Sequence, residues 1–497
     1  MKQTKLWVRV LAIVLALLIV GGAIASVVVS MAEEAPLPRD RYELTMVWLE
    51  NEQALQVTQR LVYHNATNAP MDRVVFSAAA NCYRRESALN YENDVLYTVF
   101  PEGYAPGGIA LDRVLVNGET ADYGFMDANE CILRVSCKIA PGKSCEFQFD
   151  YVLLLTRNCS LLGAYDTDVR LSGFCFQPGL PVNGDFIVNT PISFTRYTET
   201  TPADYEATIV LPDNYAAVGT GVFTSETQEG HTVLWRFTAE NARDFALSFS
   251  KRWRTFERAT EHGVSIRAYT NVRNVSSYAL DTAEAALSLY EEWLGAFPCT
   301  QISLVQSDYP VCAVDFPGVV WIPEAHWLNR EELKRDIRFA LAQQYIGYRA
   351  WTEPVSDAWL SDVPCTYLTL MVTEELEGYD AFLKELNDIV LDSIRITLPG
   401  GLYVTMSANL MTREEYELIT LGRGTVVMHE TRVAMGRDQW IRAMCEFYQM
   451  GLEQQTLTEL DFAEAFHRAT GGDWEGFLTE WLFNVDDYLE QQVEWYE

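Results

Sequence analysis

The sequence predicts an α+β multidomain protein with an N-terminal membrane helix, a β-sandwich-like domain and a C-terminal half rich in helices. Three observations carry this prediction: an uncharged run near the N-terminus, about 200 residues of short alternating strands after it, and helical periodicity in the second half. With 497 residues, 49% of them hydrophobic, the chain is long enough for two or three domains with sizeable cores.

The N-terminus carries the charge pattern of a membrane anchor. Lys2, Lys5 and Arg9 precede the uncharged run Val10–Met31, and two glutamates follow it. As a helix, this run would span about 33 Å, which is enough to cross the core of a bilayer. The positive-inside rule then places the N-terminus in the cytoplasm. We therefore expect a single-pass protein of the cell membrane whose C-terminal body is extracytoplasmic.

A cleaved signal peptide is the alternative interpretation of the same segment. Ala23-Ile24-Ala25 has the small-residue pattern of a cleavage site, but the uncharged run continues beyond it. The ten cysteines suit either route of export. Cys137 and Cys145 flank a predicted turn, and a cross-hairpin disulfide and two buried free thiols are equally consistent with that position.

The charge balance argues against nucleic acid as a partner. The chain has 37 Lys and Arg residues against 69 Asp and Glu residues, which gives a formal net charge of −32 at pH 7. A surface this acidic repels phosphate backbones, and its ordinary consequence is solubility.

The changes in pattern divide the chain into four segments. Residues 1–31 are the cytoplasmic stub and transmembrane anchor, and residues 32–41 are a proline-containing linker. Residues 42–252 alternate between apolar and polar positions, as the strands of a β domain do. Residues 253–497 begin with a strand and continue mainly as amphipathic helices. Asn329, followed by two glutamates, has the pattern of a helix N-cap with an acidic first turn.

Five short segments follow one another in the order in which a known family carries its motifs. They are Arg243-Asp244-Phe245-Ala246, Asp315-Phe316-Pro317-Gly318-Val319-Val320, Asp357-Ala358-Trp359-Leu360-Ser361-Asp362, Gly422-Arg423-Gly424 and Phe477-Leu478-Thr479-Glu480-Trp481-Leu482. The last four are similar to G-x-M-E-[NY]-[PW]-G, D-x-W-L-N-E, Y-x-K-G and F-x-x-Q-W. On these segments, residues 42–486 resemble the membrane alanyl aminopeptidases, zinc metallopeptidases of the gluzincin group. The resemblance implies a β domain followed by a thermolysin-like catalytic domain with a helical C-terminal lobe.

In that family, H-E-x-x-H and a glutamate after eighteen intervening residues hold zinc, and the Glu between the histidines is the general base. The zinc-ligand positions fall on Phe339, Gln343 and Asp362 of this chain, the base on Ala340, and an oxyanion-stabilising Tyr on Leu421. Phe339 has no lone pair, and an amide is a poor zinc ligand. The resemblance therefore implies a degenerate site without catalytic residues, in which the ring of Phe339 fills the gap left by the metal.

The acidic positions of the same site are retained. Asp315 replaces the family's amine-binding glutamate, and Asp362 keeps a carboxylate at the third ligand position. Together with Gln343 they are the predicted substrate-binding residues. Two carboxylates in a partly dry cleft repel each other, so a ligand ammonium group would stabilise them.

Other candidate nucleophiles and bases are weaker. No two histidines stand three or four residues apart, and there is no G-x-S-x-G motif. His326 is the single histidine expected near the cleft, whereas His429 is expected to be a packed or capping helix residue. Cys312 and Cys365 fall near the cleft without a histidine partner in sequence, as small buried hydrophobic residues do.

We therefore expect an exported, membrane-anchored aminopeptidase-like protein that is a catalytically inactive pseudopeptidase and binds peptides or partners in its cleft. The first alternative is an active zinc-dependent aminopeptidase with atypical ligands. The second is an extracytoplasmic assembly or interaction module with a vestigial cleft. No cofactor is expected, with zinc required only by the first alternative. The expected partners are the membrane, through the N-terminal helix, and a peptide or protein ligand.

Overall fold

The structure is a computed structural model that describes residues 38–483, apart from residues 90, 190, 192–199, 396–401 and 455. The described residues from Asp40 onward belong to one compact unit. Strands dominate its first half and helices its second half.

The strands of the first half are short and follow one another with few helices between them. They are β1 Asp40–Leu49, β2 Ala54–His64, β3 Met71–Ser77, β4 Gly108–Val116, β5 Glu119–Thr120, β6 Tyr123–Phe125, β7 Ile132–Ile139, β8 Ser144–Leu154, β9 Leu162–Tyr165, β10 Asp168–Leu171, β11 Gln177–Pro178, β12 Leu180–Val182, β13 Asp185–Ile187, β14 Ala203–Pro212, β15 Ala216–Gly219, β16 Val222–Glu229, β17 Thr232–Ala242 and β18 Leu247–Ser250. The helical pieces here are α1 Asn93–Val99 and the 3₁₀ helices Glu50–Glu52, Ala79–Arg84 and Glu86–Ala88.

These strands form an eight-stranded sheet in the order β16-β17-β14-β1-β2-β8-β4-β5 and two four-stranded sheets, β15-β18-β10-β9 and β11-β3-β7-β6. β1 pairs with β14 in parallel and with β2 antiparallel. Alternate residues of β1, such as Tyr42, Leu44 and Met46, are buried while their neighbours face outward. Apolar side chains of all three sheets join one core, so the alternation in the sequence correctly indicated layered β structure.

The second half begins with a five-stranded sheet of β19 Arg254–Ala259, β20 Ser265–Thr270, β21 Gln301–Ser307, β22 Val314–Phe316 and β23 Val319–Pro323, in the order β19-β20-β21-β23-β22. β20, β21 and β23 are parallel, and the edge strand β22 is antiparallel to β23.

Helices pack against this sheet through a second core. They are α2 Ser276–Leu294, α3 Glu324–Trp327, α4 Arg330–Tyr345, α5 Trp359–Glu377, α6 Tyr379–Arg395, α7 Arg413–Glu415, α8 Gly424–Met435, α9 Arg437–Glu453, α10 Glu459–Thr470 and α11 Glu475–Phe483. A π-helix, Tyr416–Arg423, joins α7 to α8, and a 3₁₀ turn covers Ala408–Leu410. The side chain of Asn329 accepts the Glu331 N–H, which confirms the predicted N-cap of α4.

The N-terminal membrane helix is a correction to the predicted fold class. No helix among the described residues is both long enough and apolar enough to cross a membrane. The two longest, α2 and α5, carry four acidic residues each. The predicted span Val10–Met31 lies outside the described residues. The membrane helix and the anchoring role assigned to it are therefore withdrawn. The predicted location of the body and the four-segment division stay predictions.

All ten cysteines lie in the described residues, and each has a free thiol. Cys137 lies on β7 and Cys145 on β8. These two strands belong to different sheets, so the hairpin expected around the turn between them does not form. Cys145 is buried, and its Sγ lies 3.6 Å from Oδ1 of Asn117 rather than in a bond to Cys137.

Candidate functional site

A cavity of about 410 Å³ lies where the helices meet the β half of the chain. Eight carboxylates line it against four cationic side chains, and this excess of negative charge favours a positively charged ligand. The acidic residues are Asp244, Asp315, Glu331, Asp336, Asp362, Glu385, Asp388 and Glu417, and the basic residues are Arg243, Arg335, Lys384 and Arg413.

The structure brings every site residue predicted from the sequence to this one cavity. They are Asp315, Phe339, Ala340, Gln343, Asp362 and Leu421. Phe339 and Gln343 stand four residues apart on α4, so helical geometry turns both toward the same space. The spacing of the family's motif is therefore kept in three dimensions, although the roles of the individual residues stay predictions.

A hydrogen-bonded triad of Gln343, Asp362 and Tyr416 lines the cavity. The Gln343 Nε2 donates to Oδ1 of Asp362 over 2.8 Å, and the Tyr416 hydroxyl donates to Oδ2 over 2.6 Å. Asp362 is 9% exposed, and both partners are 1% exposed. The triad thus links α4, α5 and the π-helix directly through side chains and satisfies both oxygens of a nearly buried carboxylate.

One polar atom of this triad is left over. Oε1 of Gln343 is buried and has no hydrogen-bond partner among the described residues. A buried amide oxygen without a donor costs free energy, so it is suited to receive a donor from a ligand that enters the cavity.

Phe339 lies at the wall of the cavity. Its ring is half-buried, packs against the core of the helical half on one side and lines the cavity on the other. That the ring takes the place of a metal stays a prediction. The polar contact between Gln343 and Asp362 joins the two helices directly, because a side-chain hydrogen bond needs no intervening group.

The edge hairpin of the five-stranded sheet positions Asp315. Gln344 of α4 holds this hairpin, because its Oε1 accepts the Gly318 N–H over 2.9 Å and its Nε2 donates to the Phe316 carbonyl over 3.2 Å. The Tyr348 hydroxyl donates to the backbone carbonyl of Asp315. These contacts fix the backbone on both sides of Asp315, so its carboxylate is presented to the cavity by a rigid element.

Tyr416 is the functional residue that the sequence reasoning missed. The motif comparison placed the family's tyrosine position on Leu421, which lines the cavity without a hydroxyl. Tyr416 lies five residues earlier, one turn of the π-helix, and therefore reaches the same side. A π-helix cannot be predicted from the spacing of apolar residues alone. The one signal in the sequence that could have indicated this role is a tyrosine five residues before Leu421.

The histidines stand outside the triad. His326 does not line the cavity, but its Nδ1 lies 2.6 Å from Oδ2 of Asp336, which does. This hydrogen bond raises the pKa of His326, and burial raises the pKa of Asp336. His429 contacts the Tyr367 hydroxyl through Nδ1 at 2.9 Å, and burial lowers its pKa to about 4. The prediction that His429 is a packed helix residue is confirmed.

The two cysteines near the cleft differ in position. Cys312 lines the cavity, and burial raises the pKa of its thiol to about 12, so it is not ionised near neutral pH. Cys365 is fully buried on α5, where its thiol donates to the Ile346 carbonyl at 3.2 Å. Neither has the environment of a nucleophile, in agreement with the sequence.

Solved structures that superimpose on this chain identify its fold. An M1 zinc metallopeptidase from Deinococcus radiodurans superimposes with a TM-score of 0.64 at 15% identity, over 89% of this chain and 94% of that chain. A mutant of this description bound to a Tyr-Ser-Ala substrate gives 0.63 at 16% identity over the same shares. A two-domain M1 zinc metallopeptidase mutant bound to L-tryptophan gives the same values. The chain has the M1 zinc metallopeptidase fold. No protein-family model and no curated protein matches it.

The M1 fold confirms the resemblance to the gluzincin aminopeptidases at the level of the fold. It also contradicts the expectation that no cofactor accompanies this chain, because these neighbours are zinc metallopeptidases.

The residues at those three positions do not fit zinc in the way the family motif would hold it. Phe339 offers no lone pair, and both oxygens of Asp362 already accept hydrogen bonds. Among these three residues, the Gln343 Oε1 is the one remaining atom that could coordinate zinc. A catalytic zinc site has three protein ligands.

A second cluster of acidic residues, at the cavity wall, already contains a cationic side chain. The carboxylates of Glu331, Glu377 and Glu385 lie within 4.8 Å of one another. The Lys334 Nζ stands 2.7, 2.8 and 3.2 Å from them, so a protein ammonium group already lies among these three carboxylates.

Proposed function

We propose that the cleft binds peptides through their N-terminal amine and does not hydrolyse them. The observation that supports this proposal is the triad, in which Asp362 accepts hydrogen bonds from Gln343 and Tyr416 beside a cavity rich in carboxylates. It supports a binding site because the carboxylate is held in place and the lining attracts cations.

Hydrolysis lacks its chemical groups at this position. Ala340 stands where the resembled motif has its general base, and a methyl group takes no proton from water. Leu421 stands at the position of the hydroxyl that would stabilise an oxyanion. Tyr416 supplies a hydroxyl nearby, but its proton is donated to Asp362. The site therefore offers attraction and orientation without a route to activate water.

The ligand class follows from the lining. An ammonium group can form a charge-assisted hydrogen bond with Asp315, which the hairpin presents at one wall. Apolar side chains beside it, including Phe316, Phe339 and Leu370, suit an uncharged side chain of the same ligand. A volume of about 410 Å³ lies in the range of small-molecule sites and accommodates the end of a peptide rather than a folded partner.

Calorimetric titration of the purified chain with a short peptide tests this proposal, with the N-acetylated form of the same peptide as the matched ligand. We expect the free peptide to bind at least about tenfold more tightly, which corresponds to about 1.4 kcal/mol. Asp315→Asn should abolish this difference. Asp438→Asn removes the same charge at a distant exposed position and should leave it unchanged. Equal binding of both ligands by the parent would exclude amine recognition.

Catalysis is tested separately. The purified chain, with and without added zinc, is incubated with aminoacyl arylamides, and its metal content is measured. No release of arylamine above the uncatalysed rate is expected, because the base position carries alanine. Release that depends on zinc would replace this proposal with an active aminopeptidase that uses atypical ligands.

A further inference from the structure

Two buried thiols lie side by side in the β half, outside the cavity. Cys82 belongs to the 3₁₀ helix Ala79–Arg84, and Cys131 directly precedes β7. Their Sγ atoms are 3.0 Å apart, and the residues are 3% and 5% exposed. A disulfide has an S–S distance of about 2.05 Å, so the two sulfur atoms lie about 1 Å farther apart than in a covalent bond. We propose that Cys82 and Cys131 form a disulfide.

The surrounding backbone holds both cysteines in place. The Ala78 N–H donates to the carbonyl of Cys131 over 2.7 Å. The Asn81 side chain donates to the carbonyl of Glu130 over 2.7 Å, and Arg84 forms an ion pair with the same residue. Contacts on both sides of the pair therefore hold the two cysteines next to each other.

The pair is suited to a structural cross-link rather than to redox catalysis. The hydrogen bond with Cys82 and burial both raise the pKa of the Cys131 thiol. The thiolate of Cys131 is therefore scarce near neutral pH, which slows thiol–disulfide exchange at this residue. A second cavity of about 490 Å³, lined by Arg84, Asn129 and Glu130, brings solvent to the residues that adjoin both thiols.

Oxidation needs an external disulfide as the electron acceptor. The thiolate of one cysteine attacks a small disulfide and releases one small thiol. The second cysteine then loses its proton, attacks the mixed disulfide and releases the second small thiol. The two protein thiols are oxidised, one small disulfide is reduced to two thiols, and two electrons are transferred.

Closing this bond joins positions 49 residues apart in the chain. Such a cross-link removes conformational freedom from the unfolded chain. For a unit of this size, we expect the oxidised protein to unfold about 4 °C higher than the reduced protein.

Peptide mapping of the full-length chain tests the proposal. The purified protein is oxidised with glutathione disulfide, alkylated and digested with trypsin without reduction. Cys82 falls in peptide 74–84 and Cys131 in peptide 114–134, each with a single cysteine. We expect these two peptides to be linked and to separate with dithiothreitol. Cys137 and Cys145, in peptides 135–138 and 144–157, should be alkylated and serve as the internal control.

Recovery of Cys82 and Cys131 as alkylated peptides from the oxidised protein would overturn the proposal, and so would linkage of either to a different cysteine. Melting curves provide the second readout. Dithiothreitol should lower the unfolding temperature of the oxidised parent by about 4 °C and leave a Cys82→Ser/Cys131→Ser variant unchanged. A Cys137→Ser/Cys145→Ser variant should respond as the parent does. An oxidised parent that melts at the same temperature after reduction contradicts a stabilising cross-link.

Discussion

The Gln343 amide donates a hydrogen bond of 2.8 Å to Oδ1 of Asp362, across the gap between α4 and α5. Both residues stand at positions where the resemblance to the gluzincin motif predicts zinc ligands. In this chain the two helices are tied side chain to side chain, and Tyr416 completes the contact from the π-helix. The same geometry that presents metal ligands in the resembled motif thus also supports a hydrogen-bonded link.

Replacing Tyr416 with phenylalanine should destabilise the fold. The substitution removes the 2.6 Å hydrogen bond to Asp362 and leaves one oxygen of a nearly buried carboxylate without that donor. A hydrogen bond to a charged group contributes about 1.5–3 kcal/mol, which is the expected loss in the free energy of unfolding. Urea unfolding measures it. Tyr97→Phe, at a residue 78% exposed, is the control and should stay within about 0.5 kcal/mol of the parent.

Phe339→Ala should cost less than a core truncation on the same helix. The ring of Phe339 is half-buried against the cavity, whereas Leu341 is fully buried. We expect a loss of about 1–2 kcal/mol for Phe339→Ala and about 2–5 kcal/mol for Leu341→Ala, measured by the same unfolding experiment. A Phe339→Ala loss as large as that of Leu341→Ala would mean that the ring is packed on all sides in solution.

The sequence predicted what depends on local patterns. Alternation along β1 indicated its buried face, and the Asn329 N-cap follows from a side chain reaching a nearby backbone N–H. The spacing between Phe339 and Gln343 placed both at one cavity, because residues four apart on one helix face the same side.

Contacts that depend on the path of the chain were not predictable in this way. Tyr416 reaches Asp362 only because the segment after α7 is a π-helix, which shifts the register by one residue per turn. Cys82 and Cys131 meet because β3 pairs with β7, and that pairing is set by the topology of the sheet rather than by spacing in the sequence. Asp336 pairs with His326 through the turn between α3 and α4.

The stability of the fold should depend on pH through His429. Burial lowers its pKa to about 4 from an ordinary value of 6.5. Between these values the unfolded chain binds more protons than the folded chain, so stability decreases as the pH falls through this window. The expected loss attributable to this group is about 3 kcal/mol between pH 7 and pH 4.

His429→Gln isolates this contribution, because the amide keeps a hydrogen-bond acceptor for the Tyr367 hydroxyl and does not titrate. The difference in unfolding free energy between the parent and this variant should change by about 3 kcal/mol across the window, in favour of the variant at low pH. A difference that stays constant from pH 7 to pH 4 would show that His429 has the same pKa in the folded and the unfolded protein. The hydrogen bond with Glu291 raises the pKa of His262, so the same comparison with His262→Gln should change with pH in the opposite sense, in favour of the parent at low pH.

The affinity for a peptide with a free amine should fall as salt rises. Eight carboxylates line the cavity against four cationic side chains. Two of those cations are paired with carboxylates of the same lining, Lys384 with Asp388 at 3.0 Å and Arg413 with Glu417 at 2.7 Å, and Arg335 is paired with Glu332 at 2.9 Å. The remaining negative charge attracts an ammonium ion partly through solvent, where ions screen the interaction. We expect the dissociation constant to rise about three- to tenfold between 50 and 500 mM NaCl, on the order of 1 kcal/mol. The N-acetylated peptide carries no charge at this end, so its weaker binding should change little over the same range. If both peptides lose affinity equally, the salt acts elsewhere on the ligand, and the carboxylates of the cavity do not contact its amine.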